Sequence, residues 1–287
     1  MRPSQWIKNV VVFAGVVFAG RLGEPEFALR ALGAFAAFCV LSSAAYVFND
    51  LTDVEKDRLH PEKRNRPIAS GRVSRGAAIG LAGALATAGL ALAFWLGPRF
   101  GATASEFLLL NGLYSVWLKR KVIIDVMAIA VSFMLRAIGG VEVLRDLDPG
   151  VALSAWLLLC TFFLALVMSF GKRRSELVLL DDSAREHREA LADYSLQLFD
   201  SLIPMLTACA VLAYSIYTIW PDTVAKFGTD KLVYTVPFVV YGFLRYLFLI
   251  RERGLGGNPS EILFRDGALL LSVVAWMGAI VGILYRG

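Results

Sequence analysis

Long apolar blocks alternate with short charged segments along the chain, and the lengths of the blocks predict membrane-crossing helices. A helix needs about 20 consecutive apolar residues to cross the hydrocarbon core of a bilayer. Runs free or nearly free of charge cover Ala77–Leu96, Val151–Phe170, Leu202–Trp220 and Ala268–Tyr285, and Leu232–Ile250 is broken only by Arg245. Ala31–Phe48, Ala102–Leu118 and Val122–Val143 follow the same pattern, with Glu106, Asp125, Arg136 and Glu142 as interruptions, and Val10–Gly20 is the shortest run. The pattern therefore predicts an all-α integral membrane protein with nine spans. No connection is long enough for a soluble domain, so residues 1–287 read as a single transmembrane domain.

Composition agrees: 57% of residues are hydrophobic and 18% charged, where soluble domains carry about a quarter charged. A net charge of +5 raises nucleic-acid binding, but the apolar blocks exclude a soluble binder of that kind, and no nucleic-acid partner is expected. Placing the N-terminus inside puts 20 of the 29 Lys and Arg in segments 1–9, 49–76, 119–121, 171–199 and 251–265, against 7 at the opposite ends. By the positive-inside rule the two long polar loops, 49–76 and 171–199, face the cytoplasm of a plasma-membrane protein. Lys8 before a short apolar stretch also resembles a cleaved signal peptide. Trp6 and Asn9 in the segment that precedes the apolar run, and Arg2 and Lys8 as that segment's only basic residues, favour a retained first span. Cys39, Cys160 and Cys209 lie inside apolar blocks without ligand spacing and read as small buried hydrophobes.

Chemistry enters where the second span ends. Asn49, Asp50, Asp53 and Asp57 follow with no helix breaker between them. Continued as a helix, Asp53, Asp57 and Asp50 fall at about 40°, about 80° and about 100° from Asn49, one face at the membrane boundary. Crowded carboxylates repel unless a cation lies among them, and hard oxygen donors suit Mg²⁺, which is completed by substrate phosphates. A solvated juxtamembrane loop accounts for the spacing equally well. The cations Lys63, Arg64, Arg66, Arg72 and Arg75 follow at once. Acids with a metal beside dense guanidinium and ammonium groups suit a diphosphate. The positive-inside bias explains any one of these cations but not the interleaved acids.

Asn49-Asp50-x-x-Asp53-x-x-x-Asp57 followed by Arg66-Pro-Ile-Ala-Ser-Gly71 resembles the first aspartate motif of the UbiA superfamily of intramembrane prenyltransferases. The resemblance runs over essentially the whole chain, with Tyr114-Ser115-x-x-Leu118-Lys119 and Asp125-Val126 as further marks. It implies a nine-helix UbiA-like bundle with a cytoplasm-facing active-site cavity. The opening Arg2-Pro3-x-Gln5-Trp6-x-Lys8-Asn9 resembles one branch, whose members attach 5-phosphoribose to decaprenyl phosphate for cell-wall arabinan. Most superfamily members carry a second acidic motif after the sixth span. Here that place reads Gly171-Lys172-Arg173-Arg174-Ser175-Glu176, a basic cluster with one acid left. Such a change suits a substrate with an extra phosphate and suits an uncharged aromatic acceptor poorly. Inside-loop charge is the alternative account of the basic trio, and Asp181, Asp182 and Glu186 read as loop surface rather than a displaced motif.

What the resemblance implies for the site is a Mg²⁺-dependent phosphoribosyl transfer from 5-phosphoribosyl 1-diphosphate to a polyprenyl phosphate. Asp50, Asp53 and Asp57 would hold the metal with Asn49 beside them, and Arg64 and Arg66 would lie near the diphosphate. Lys8, Lys119, Lys172, Arg173 and Arg174 are candidates for the other phosphates, with Tyr114 adding a hydroxyl and Glu176 the remaining acid. Arg136, about three turns beyond Asp125, is expected to face the interior and pair with an acid or carbonyls, since a charge at that depth is costly. Arg245 is expected to snorkel, and His60 and His187 have no nucleophile partner. The nearest alternative is an aromatic prenyltransferase of the same superfamily. A transporter is the alternative of another class, but Pro204 and Pro237 find no counterparts in the first half. Assembly into a homo-oligomer is left open.

Overall fold

The computed structural model describes residues 3–59, 63–180, 194–254 and 259–286, and among them every regular element is helical. In chain order, a 3-10 helix Pro3–Phe13 runs into α1 (Ala14–Phe18), followed by α2 (Pro25–Thr52), α3 (Val54–Leu59), α4 (Arg75–Leu96), α5 (Pro98–Val116) and α6 (Ile124–Arg145). Then come α7 (Ala155–Leu180), α8 (Leu196–Ile219), α9 (Pro221–Phe227), α10 (Val236–Glu252), α11 (Pro259–Arg265) and α12 (Gly267–Arg286). The helices start where the sequence supplies caps. Ser74 Oγ accepts from Ala77 N at 3.2 Å, Ser195 Oγ from Leu198 N at 3.1 Å, and Asp266 Oδ1 from Leu269 N at 2.8 Å. Each satisfies a backbone donor that a helix start leaves without a partner. Pro25, Pro98 and Pro237 sit in the first turn, where a missing N–H costs nothing.

Among the described residues, seven helices are long and apolar enough to cross a membrane. They are α2, α4, α6, α7, α8, the run Lys231–Glu252 that ends in α10, and α12. The other two expected spans are helical but fall short. The first is the short apolar stretch Gln5–Phe18. The other is α5, 19 residues long, diluted by Arg99, Glu106, Asn111 and several small polar residues.

The described residues gather into two compact units, one up to Ala152 and one from Leu153. In the first, α2 packs on α4 and α5, and α6 packs on α5 and the N-terminal 3-10 helix. The most enclosed helices are α2 and α6, each 61% buried along its apolar window against 22% for α4. Their interior is built on Phe38, whose ring meets Phe100 at 5.5 Å and Phe107 at 5.1 Å, both edge-on. The N-terminal segment lies on α6 backbone to backbone: a Cβ on Gly140 would sit 2.1 Å from Val12 O. In the second unit, α7 pairs with α8 and α10 with α12. There the Tyr214 hydroxyl lies 2.6 Å from Thr235 Oγ1 and accepts from Trp276 Nε1 at 2.9 Å. Large apolar side chains such as Trp95 (79% exposed) and Leu271 (68%) point outward, as expected where lipid is the solvent.

Arg245 does not simply snorkel. It donates from Nε and Nη2 to both carboxylate oxygens of Asp266, at 3.1 and 2.7 Å, joining α10 to the cap of α12. A fork-to-fork pair of this kind is geometrically specific.

Candidate active site

The acidic segment does not run on as one straight helix. α2 stops at Thr52, Asp53 takes φ −105° and ψ 7°, and α3 begins at Val54. The bend keeps the backbone ladder, since Asp53 N donates to Asn49 O at 3.1 Å and Asp57 N to Asp53 O at 2.8 Å. It splits the expected single face of acids into two small clusters, one around Arg66 and one around Lys119.

In the first, Arg66 Nη1 donates to Asp57 Oδ2 at 2.6 Å and to Asp50 Oδ1 at 3.1 Å. In the second, Lys119 Nζ donates to Asp53 Oδ1 at 2.6 Å and to Asn49 Oδ1 and Thr52 Oγ1 at 3.2 Å. Asn49 Nδ2 donates in turn to Asp53 Oδ2 at 3.2 Å. Of the carboxylates, Asp57 is the most enclosed, with a side chain 5% exposed. Burial holds its carboxyl above the ordinary range, against the opposing pull of Arg66.

The loop that carries Arg66 is fixed from beneath. Ile68 is buried with Val47, Val54 and Ala78, beside Leu51 and Val73. That small apolar plug explains why Ile68 stands between the polar residues of the motif. Gly71 takes φ +78°, the left-handed region that favours glycine. Three of the neighbouring cations latch this loop. Arg58 Nε donates to Ala69 O at 3.2 Å, Arg72 Nη2 to Asn65 O at 2.5 Å, and Arg75 pairs with Glu55. Arg64 is exposed in the turn Lys63–Asn65.

Lys119 sits in a 3-10 turn, Leu118–Arg120, directly after α5, on whose last turn Tyr114 is half-buried. Four residues on, Ile123 has φ +67° and ψ −45°. Its neighbours close a tight three-residue turn, with Ile124 N donating to Val122 O at 2.7 Å. A β-branched residue in that region is strained. The sequence gives no hint of it. Asp125, fully buried, starts α6 just beyond. Lys8 is half-buried on the N-terminal 3-10 helix.

In the second unit the basic trio lies on helix rather than loop, because α7 continues to Leu180. Arg173 Nη1 donates to Glu176 Oε2 at 2.8 Å, and Lys172 Nζ lies 3.8 Å from Glu176 Oε1. Arg174 Nε donates to Asp200 Oδ1 at 2.9 Å, and Arg251 Nη2 to Asp200 O at 2.8 Å. Asp200 and Arg251 therefore belong to this cluster; distance in sequence hid them. Asp181, Asp182, Glu186, His60, His187 and Arg2 lie outside the described residues.

Among the described residues no three acid, His or Cys side chains form a ready metal cage. The donors nevertheless fit a hard divalent ion. Asp50 and Asp57 already converge on one positive point, the Nη1 of Arg66, and Mg²⁺ is commonly bound by one or two carboxylates plus phosphate oxygens.

Fold and site together define a polytopic helical membrane protein with paired acids and cations where a long helix leaves the apolar layer. The chain belongs to the UbiA prenyltransferase family, whose model matches residues 9–264. It is 32% identical over 296 residues to the decaprenyl-phosphate phosphoribosyltransferase of Mycolicibacterium smegmatis, covering 99% of this chain and 91% of that one. It is 32% identical to the enzyme of the same name from Corynebacterium glutamicum, covering 99% and 85%. Among solved structures, the UbiA homolog from Archaeoglobus fulgidus bound to DMAPP and Mg²⁺ shares the fold, with a TM-score of 0.72 at 18% identity over 99% of this chain and 96% of that one.

Proposed function

We propose that the protein transfers 5-phosphoribose from 5-phosphoribosyl 1-diphosphate to a polyprenyl phosphate such as decaprenyl phosphate, with release of diphosphate, as a step towards cell-wall arabinan. The observation that carries this reading is the likeness, over 99% of the chain, to enzymes named for that reaction. On this reading the bond from C1 of the ribose to the diphosphate oxygen breaks, and a bond from C1 to an oxygen of the lipid phosphate forms. The acceptor is already an anion, so no general base is required, and single displacement inverts the anomeric centre.

Asp50, Asp53 and Asp57, with Asn49, would hold Mg²⁺, which when bound neutralises charge growing on the leaving diphosphate. Arg66 and Lys119 are each held at a carboxylate of this segment, so each is positioned to take a diphosphate oxygen in a charge-assisted hydrogen bond. Arg64 adds positive charge to that side. Lys8, Lys172, Arg173 and Arg174 take the 5-phosphate and the lipid phosphate, Glu176 orients two of these cations, and Tyr114 contributes a hydroxyl. The chain acts as a single domain of nine helices in the plasma membrane, with its catalytic cavity open to the cytoplasm. The two short helices are then counted with the seven spans, and a homo-oligomer is compatible with this arrangement.

The test is purified protein in detergent with polyprenyl phosphate, labelled phosphoribosyl diphosphate and Mg²⁺, beside an EDTA control. A labelled lipid that disappears with EDTA is expected. No product from intact substrates and folded protein would turn the reading to an isoprenyl diphosphate donor and an aromatic acceptor.

A further inference from the structure

Arg136 lies in the middle of α6, itself a span, and is 5% exposed. Keeping a charge at that depth is costly, and such residues are retained for a purpose. Its partners among the described residues are all neutral. Nη1 donates to Ser132 O at 2.8 Å and Ser132 Oγ at 3.0 Å, and Nε donates to Asn9 Oδ1 at 2.7 Å. The guanidinium rests over the rings of Phe107 at 4.6 Å and Phe133 at 5.1 Å. Among the described residues no carboxylate pairs with it, so the contacts seen are not an ion pair.

What it grips is the N-terminal helix. Asn9, fully buried, also receives Ser42 Oγ at 3.2 Å and donates to Cys39 Sγ at 3.3 Å, and Trp6 Nε1 donates to Ser43 Oγ at 3.2 Å. These contacts tie the 3-10 segment to both α2 and α6. A 3-10 helix of 11 residues is far beyond the three or four at which such winding is common, so it needs holding from outside itself. Lys8 is the residue next to the one held.

We infer that Arg136 is a positioning residue that, through Asn9, holds the N-terminal helix in place and so sets Lys8 at its phosphate. The inference rests on the proposed transfer for the role of Lys8, while the anchoring itself is independent of any reaction.

Two measurements on the full-length protein in detergent test it. The first is hydrogen–deuterium exchange of Arg136→Met and, should that variant fold poorly, of Asn9→Leu. Exchange is expected to rise in the segment 5–13 and to stay at the wild-type level in α4 and the second unit. Unchanged exchange in 5–13, or a rise everywhere, overturns the anchor. The second is a kinetic cycle with Lys8→Ala. Arg136→Met is expected to raise KM for a phosphorylated substrate about tenfold with kcat nearly kept, and to add less than about twofold once Lys8 is gone. Additive effects overturn the link to Lys8. If wild-type protein makes no labelled lipid, the proposed reaction fails, and the anchor is then decided by the exchange experiment.

Discussion

Arg66 reaches back nine residues to Asp57 and places the same nitrogen against Asp50, so one guanidinium bridges two carboxylates at the end of a span. Removing that cation leaves a buried acid without its partner. Arg66→Met is expected to destabilise the protein by about 1–3 kcal/mol. Asp57→Asn combined with Arg66→Met should lose less than the two single changes added together. Thermal unfolding of the four proteins in one detergent checks this, and strict additivity would contradict a shared site.

Asp53 holds a different cation. Asp50→Asn or Asp53→Asn is expected to reduce turnover by about 100-fold or more, with the protein still in the membrane. The dependence of the remaining rate on Mg²⁺ should weaken as well. Wild-type turnover in either variant would remove these residues from the site.

Lys172 faces Glu176 from one turn away and remains 44% exposed along its side chain. Lys172→Ala is expected to raise KM for the donor or the lipid phosphate about tenfold while leaving expression unchanged. Unaltered kinetics would reduce the trio to a topology signal.

Asp266 gives a pH dependence with a definite sign. The hydrogen bond from Arg245 first, and the backbone N–H groups at the start of α12 after burial is set against them, hold its carboxyl below the usual range. A depressed carboxyl stabilises the fold above the unfolded value of about 3.9 and loses that contribution as pH falls through the folded value. Asp266→Asn should therefore lower Tm at pH 7, and its difference from wild type should shrink as the pH falls below the unfolded carboxylate value. A difference that does not change with pH across the acid range would mean that the residue acts by packing.

Ile123 supplies a fifth test. Replacing it with glycine removes the penalty of a β-branched residue at φ +67° and is expected to stabilise the folded protein by about 1 kcal/mol. If the strain fixes the turn between Lys119 and Asp125, KM should rise although stability improves. A less stable Ile123→Gly protein would refute the strain.

Seven of the nine expected spans were legible because lipid imposes one length and one polarity on every crossing helix. Asn49, Asp50, Asp53, Asp57, Arg66 and Lys119 were legible as candidates because acids interleaved with cations are rare at a span end. Their division into two clusters was not, since a one-residue bend at Asp53 leaves no mark in composition. The continuation of α7 under Lys172–Arg174 was hidden by the charges themselves, which read as loop. The pairing of Arg245 with Asp266 and of Arg174 with Asp200 depends on which helices meet, and no local pattern carries that.

The winding of the first helix has a consequence for length. At about 2.0 Å per residue in 3-10 form and about 1.5 Å in α form, Pro3–Phe18 reaches about 30 Å, against about 24 Å if it were wound as α throughout. The hydrocarbon core is about 30 Å thick. A segment too short by residue count to reach that distance as an α-helix thus attains it in its observed winding.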